Sequence, residues 1–387
     1  MMTEQTSYDV IIVGAGMVGS SIASELASDR SILLVEAEEG PGYHATGRSA
    51  AVFSPSYGPE AISALTRGSA AFFHQPPDGF TETALLQQRG ALFVARPGEE
   101  QELQTFFELL RDRKCPVELL NAQAVIERVP ILKRELVSGG VFDASTYDIE
   151  VELLLQGFLK TARKAGAELI TRSRIQSVTC ADGIWTVTDQ KDRCYSAPVI
   201  INAAGAWCDE IAALAGIPAI GLQPKRRSAF TFKAPDELVV DDWPLAIALD
   251  ESWYMKPDAG LLLGSPGNAD PAPAHDVVAE ELDVATGIYR IEEMTTLQIR
   301  RPEHTWAGLR SFVADGEPVI GFDAGPKGFF WAAAVGGYGI QTAPAVGRLV
   351  AALVRGDDVP QDLQDEGLPL ALINPDRASL NRGALNS

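Results

Sequence analysis

The chain has 387 residues, 46% of them apolar, enough to bury one large layered core or two ordinary ones. Its 32 Lys and Arg against 52 Asp and Glu leave a formal charge of −20, which repels phosphate backbones and anionic membrane surfaces and argues against nucleic acid as a partner. Four cysteines (Cys115, Cys180, Cys194, Cys208) lack CxxC spacing and point to reduced thiols in a cytoplasmic protein, while His44, His74, His275 and His304 show no ligand spacing, so no metal is expected.

Residues 8–13 (YDVIIV) form a continuous apolar run, as in a parallel strand covered on both faces. The run is too short for a signal sequence, and no later one reaches membrane-spanning length. Gly14, Gly16 and Gly19 end it, a helix follows to about Ala27, and residues 31–36 read as a second buried strand. Apolar spacing of three and four predicts helices over 59–73, 99–113 and 150–165. Alternation predicts strands at 184–189, 228–232 and 309–313, and the breaker-rich stretch 265–273 marks a turn or flap. After Gly336, Gly337 and Gly339 a long apolar helix runs to about Val354, with Pro344 expected in its first turn.

The spacing Gly14-x-Gly16-x-x-Gly19 lies between strand and helix, and Glu36 ends the next strand, the full context of a dinucleotide fingerprint. Gly14 permits the tight turn, Gly16 lets the backbone approach a pyrophosphate, and Gly19 lets helix and strand pack closely. Glu36 can accept both ribose hydroxyls and repels a 2′-phosphate, so NADP is disfavoured. The fingerprint alone leaves NAD and FAD open.

Residues 42–51 (GYHATGRSAA) resemble the second flavin contact of the D-amino acid oxidase and glycine oxidase superfamily. Thr46 and Ser49 bring hydroxyls, Gly47 close backbone approach, and Arg48 a cation for phosphate, with Ala50 following. Residues 199–207 resemble the family's strand returning to the cofactor, placing Ala204, Gly205 and Trp207 there, and the same resemblance adds Ile175, Gly336, Gly339 and Ile340. It implies non-covalent FAD and a late helix whose N-terminus faces the flavin. The implied fold is α/β. A Rossmann-like FAD domain (1–85, 148–222 and 305–387) would carry an inserted mixed or antiparallel-sheet substrate domain (86–147 and 223–304).

The likeness extends over nearly the whole chain and is greatest to the D-arginine dehydrogenase branch, through residues 222–230 and 301–312. If 225–232 is a strand, Arg226 shares a face with Phe230 and Phe232, while Lys225 and Arg227 point away. An arginine on an apolar face needs an anion, which a substrate carboxylate or an acidic side chain could supply. The resemblance implies Arg310 as the carboxylate clamp, Tyr57 and Tyr254 beside the pocket, and Arg226, Gly337 and Gln341 near the substrate. Two departures matter. Ala91 and Val52 stand where that branch has an acid and an imidazole, which disfavours a cationic side chain.

The expected reaction is FAD-dependent oxidative deamination of a D-amino acid, by hydride transfer from Cα to flavin N5. An imino acid leaves, and oxygen or a quinone takes the electrons. A sarcosine or glycine oxidase, a 2-hydroxy acid dehydrogenase, or a flavin-binding subunit or sensor without turnover would suit the same fold.

Overall fold

The computed structural model describes residues 6–113, 115–380 and 382. The strand Val10–Val13 lies inside a six-stranded sheet, between Ile32–Val35 and Val199–Asn202. Glu168–Ile170 and Phe329–Ala333 extend the parallel part, and Val319–Phe322 closes one edge antiparallel. Its apolar run is explained by two different covers. Val10 and Ile12 pack towards the helices Met17–Leu26, Val151–Lys164 and Gly339–Arg355. Ile11 and Val13 pack against a second sheet whose Val178, Trp185 and Val187 complete that core.

The third layer of chemistry is a nine-stranded mixed sheet built from 91–143 and 223–312. The strand Gln223–Phe232 pairs antiparallel with His304–Phe312 along nearly its whole length. Residues 305–312, given to the cofactor part on sequence grounds, therefore belong to this sheet by hydrogen bonding. One face of the sheet packs on the helix Glu281–Met294 through Phe230, Phe232, Val284 and Ile291. The other face carries the helix Glu100–Asp112 over Phe93, Ala95 and Val141 and elsewhere faces the cofactor part.

The helices expected at 59–73, 99–113 and 150–165 are Glu60–His74, Glu100–Asp112 and Val151–Lys164. The helix Glu281–Met294 was not foreseen. Leu282 and Tyr289 are exposed on it, which blurs its apolar stripe, and Gly287 reads as a breaker although it lets the Phe230 ring approach. Pro344 falls at the sixth residue of Gly339–Arg355, beyond the first turn, because the helix already starts at Gly339. The 265–273 stretch is tied down: Asp270–Pro271 pairs with 225–226, and the Asn268 carbonyl accepts from Arg227 Nε at 2.6 Å. No described helix is long and apolar enough to cross a membrane, and the described residues hold no metal-binding group of three His, Cys, Asp or Glu. The four cysteines are unpaired.

Candidate active site

Two adjoining cavities meet between the parallel sheet and the cofactor-side face of the mixed sheet. The larger encloses about 1940 Å3, including its open mouth, and starts at the glycine turn. Gly14 has φ +103°, and a Cβ there would stand 2.5 Å from the Ala203 carbonyl oxygen, so only glycine fits. Gly16 opens onto the cavity. Gly19 does not line it. A Cβ at Gly19 would strike the Gly14 carbonyl at 1.9 Å, so this residue closes helix onto turn.

The helix Met17–Leu26 has neither an acidic first turn nor a side-chain cap at Gly16, leaving a positive N-terminal end suited to a pyrophosphate. The Met17 amide donates to Thr46 Oγ1 at 3.1 Å. Glu36, at the far side of the turn, accepts from the amides of Ala15 (2.8 Å) and Glu38 (2.9 Å) and faces the cavity, as a ribose-binding carboxylate must. Ser49, Ala50 and Ile175 line the same space, as do Ala204, Gly205 and Trp207 on one side and Gly336, Gly339 and Ile340 on another. The helix Gly339–Arg355 also begins uncapped and without an acid at this wall. The cradle therefore fits an adenine dinucleotide in charge, in backbone clearance and in ribose acceptor.

Two cofactor expectations are corrected. Gly47 does not border the cavity: its amide donates to the Gly42 carbonyl at 2.8 Å, and a Cβ would collide with that oxygen, so Gly47 shapes the loop. Arg48 does border it, but its guanidinium is engaged by Asp276 at 2.5 Å and by the Val277 carbonyl at 2.8 Å. Its charge is answered by protein, and it straps the 42–50 loop to 276–277.

The smaller cavity spans about 840 Å3, including its open mouth. Arg310, Tyr57, Tyr254, Ala91, Val52, Gly337 and Gln341 all line it. Arg226 does not. It shares a face with Phe230 and Phe232, as alternation requires, but that face is the one covered by helix Glu281–Met294. There Arg226 pairs with Asp283 at 2.8 Å, with Glu280, and with Asp270 at 3.8 Å. Arg227, expected to point away, lines both cavities. Strand register explains the exchange. Lys225 pairs with Arg310 and Arg227 with Gly308, so odd residues of one strand share the cavity face with even residues of the other.

Arg227 and Arg310 thus stand on one wall, and neither has a carboxylate within ion-pairing distance among the described residues. Burial, with the Arg310 charge next, pushes the Arg227 pKa down. Beside them the Tyr254 hydroxyl is buried without a hydrogen-bond partner. Burial opposes its ionisation, but the Arg310 and Arg227 charges outweigh this and lower its pKa. Tyr57 donates to Glu251 at 3.2 Å, and its ring meets Tyr338 at 5.1 Å; burial raises its pKa. A Cβ on Gly337 would come within 2.9 Å of the Arg310 guanidinium. Gln341 is committed on both ends, accepting from the Ser54 amide and donating to Thr66 Oγ1. It holds the wall in place.

Phe93, Leu245 and Ile247 make the rest of the floor apolar, with Thr146, Glu251 and Lys256 as its further polar members. Sequence reasoning missed these and Arg227. The signal for Lys256 was present, since it lies two residues beyond Tyr254 on one strand.

A family model described as FAD dependent oxidoreductase (DAO) matches residues 9–353. Glycine oxidase of Geobacillus kaustophilus is 26% identical over 373 residues, covering 92% of this chain and 95% of that protein. The crystal structure of that glycine oxidase superposes with a TM-score of 0.80 at 22% identity, covering 92% of this chain and 96% of the other. L-Proline dehydrogenase from P. horikoshii superposes at 0.82, again 22% identical, covering 96% and 98%.

Proposed function

The chain belongs to the DAO family of FAD-dependent oxidoreductases, and from that premise we propose that it oxidatively deaminates D-amino acids with neutral or apolar side chains, with oxygen or a quinone as final electron acceptor. FAD, when bound, supplies the hydride acceptor. One observation carries the substrate reading: two arginines without acidic partners, Arg227 and Arg310, stand beside the unpartnered Tyr254 hydroxyl at the wall common to both cavities. Two neighbouring guanidinium groups repel each other, and a carboxylate beside them offsets the repulsion and supplies the anionic acceptor that neither has. Holding the α-carboxylate there sets Cα at the junction of the cavities, a positioning effect that needs no nucleophile. The Tyr254 hydroxyl can donate a hydrogen bond to the same carboxylate.

The side chain then extends over Ala91, Phe93, Leu245 and Ile247. This floor distinguishes the proposal from the activity named for the glycine oxidases. Glycine would leave Phe93, Leu245 and Ile247 uncovered, whereas an apolar side chain covers them. The chain resembles the D-arginine dehydrogenase branch, and Ala91 and Val52 are the changes that remove the cationic preference.

The test is anaerobic bleaching of the flavin, followed by kcat/KM for a panel. D-Leucine, D-methionine or D-phenylalanine should bleach it, and each should exceed D-arginine in kcat/KM. Bleaching by sarcosine or a 2-hydroxy acid but by no D-amino acid would sink the proposal. A preference for D-arginine of about tenfold, roughly 1.4 kcal/mol, would sink its side-chain part.

A further inference from the structure

Hydride removal from an α-carbon makes no demand on Lys256, yet this lysine is 5% exposed and lines the substrate cavity. It shares the cavity face with Tyr254, two residues earlier on the strand Tyr254–Asp258. Tyr254 pairs with Ile247, whereas Lys256 lies one row further, level with Leu245, the partner of Ala91. Rows of a sheet face are about 7 Å apart along the strand. The ammonium therefore belongs to the part of the cavity that a side chain reaches, one row beyond the tyrosine at the arginine wall.

Its chemistry is only partly used. Nζ donates to Asp148 Oδ1 at 2.7 Å, and Asp258 at 3.7 Å is too far for a hydrogen bond. An ammonium has three donors. Asp148 does not depend on it for neutralisation, since its other oxygen takes Arg89 Nε at 2.6 Å. A buried ammonium with spare donors, beside Ala91 and Leu245, gains from an acceptor and penalises a second cation.

We propose that Lys256 determines side-chain specificity by reading the distal end of the substrate, favouring amino acids whose side chain ends in a carboxamide or carboxylate. This rests on the proposed seating of the α-carboxylate at Arg310 and Arg227, and it adds to the exclusion of cationic side chains a preference for side chains that end in an acceptor.

Glutarate and pentanoate, which differ by one terminal carboxylate, probe this on the holoenzyme through perturbation of the flavin absorbance. Glutarate should bind about tenfold more tightly, the effect of one charge-assisted hydrogen bond. Lys256→Met should bring the two within about threefold while pentanoate affinity stays. Equal binding by the wild-type protein overturns the lysine assignment alone; no perturbation by either acid overturns the arginine wall and this proposal with it. Should Lys256→Met fail to retain flavin, the wild-type ratio of kcat/KM for D-glutamine over the near-isosteric D-methionine decides. A ratio above about three supports the assignment, and a ratio at or below one overturns it.

Discussion

Arg226 and Arg227 are neighbours in the chain and opposites in environment. Arg226 points beneath the mixed sheet into a nest of Asp283, Glu280 and Asp270. Arg227 points above it, has the Asn268 carbonyl as its acceptor, and faces a second arginine. A guanidinium answered by the protein's own acids serves the fold, and one left without them is available to a substrate anion. Arg310 stands with Arg227 on this division, and Arg48 and Arg377 stand with Arg226.

The largest effect expected from this contrast is at Arg310. Arg310→Met removes a charge-assisted clamp in a desolvated wall and should lower kcat/KM by about 2 to 5 kcal/mol equivalent, with flavin content nearly unchanged. Steady-state kinetics beside the visible flavin spectrum separates the two quantities. Near wild-type kcat/KM would move the carboxylate site elsewhere and erase the distinction between the two classes of arginine.

A sharper form of the test uses the adjacent pair. Arg227→Met should cost about 1.5 to 3 kcal/mol in kcat/KM, one hydrogen-bonded charge, and lower stability by no more than about 1 kcal/mol, the worth of its bond to the Asn268 carbonyl. Arg226→Met should do the reverse. It leaves Asp283 with only Ser228 Oγ and Asn268 Nδ2 as donors, and should destabilise by about 2 kcal/mol with kcat/KM within about twofold of wild type. Thermal unfolding and kinetics on both variants give four readings. Equal loss of activity in both would mean that the sheet transmits damage regardless of face.

The same pair shows where sequence reasoning stops. Alternation correctly put Arg226 with Phe230 and Phe232, but which face met the substrate depended on the helix Glu281–Met294, whose pattern Gly287 and the exposed Leu282 and Tyr289 conceal. By contrast, the glycine turn was legible because its residues answer local geometry. The Gly14 φ of +103° and the close approach of Gly19 to Gly14 are constraints that neighbouring residues impose. Arg310 was placed at the cavity by resemblance, and the structure puts it there. Arg48 shows the opposite limit, because its partner Asp276 lies 228 residues away and no local pattern announces it.

The smallest effect concerns Arg377, an arginine of the paired class that lines neither cavity. It binds Asp315 through two bonds of 2.7 and 2.9 Å and also donates to the carbonyls of Glu317 and Pro318, tying the C-terminal segment to the turn before Val319. The Arg377 guanidinium, aided by Ser379, lowers the Asp315 carboxyl to about 2. Because the folded pKa lies below the unfolded value, the pair's contribution is complete above about pH 4 and fades as pH falls through about 2. Arg377→Met should therefore lower stability by about 1 to 2 kcal/mol at pH 7, with kcat/KM unchanged. The difference from wild type should shrink steadily as denaturant unfolding is repeated from pH 4 downwards. A deficit that persisted undiminished near pH 2 would assign it to lost packing of the arginine stem, and Arg377 would then cease to illustrate charge pairing as the basis of the paired class.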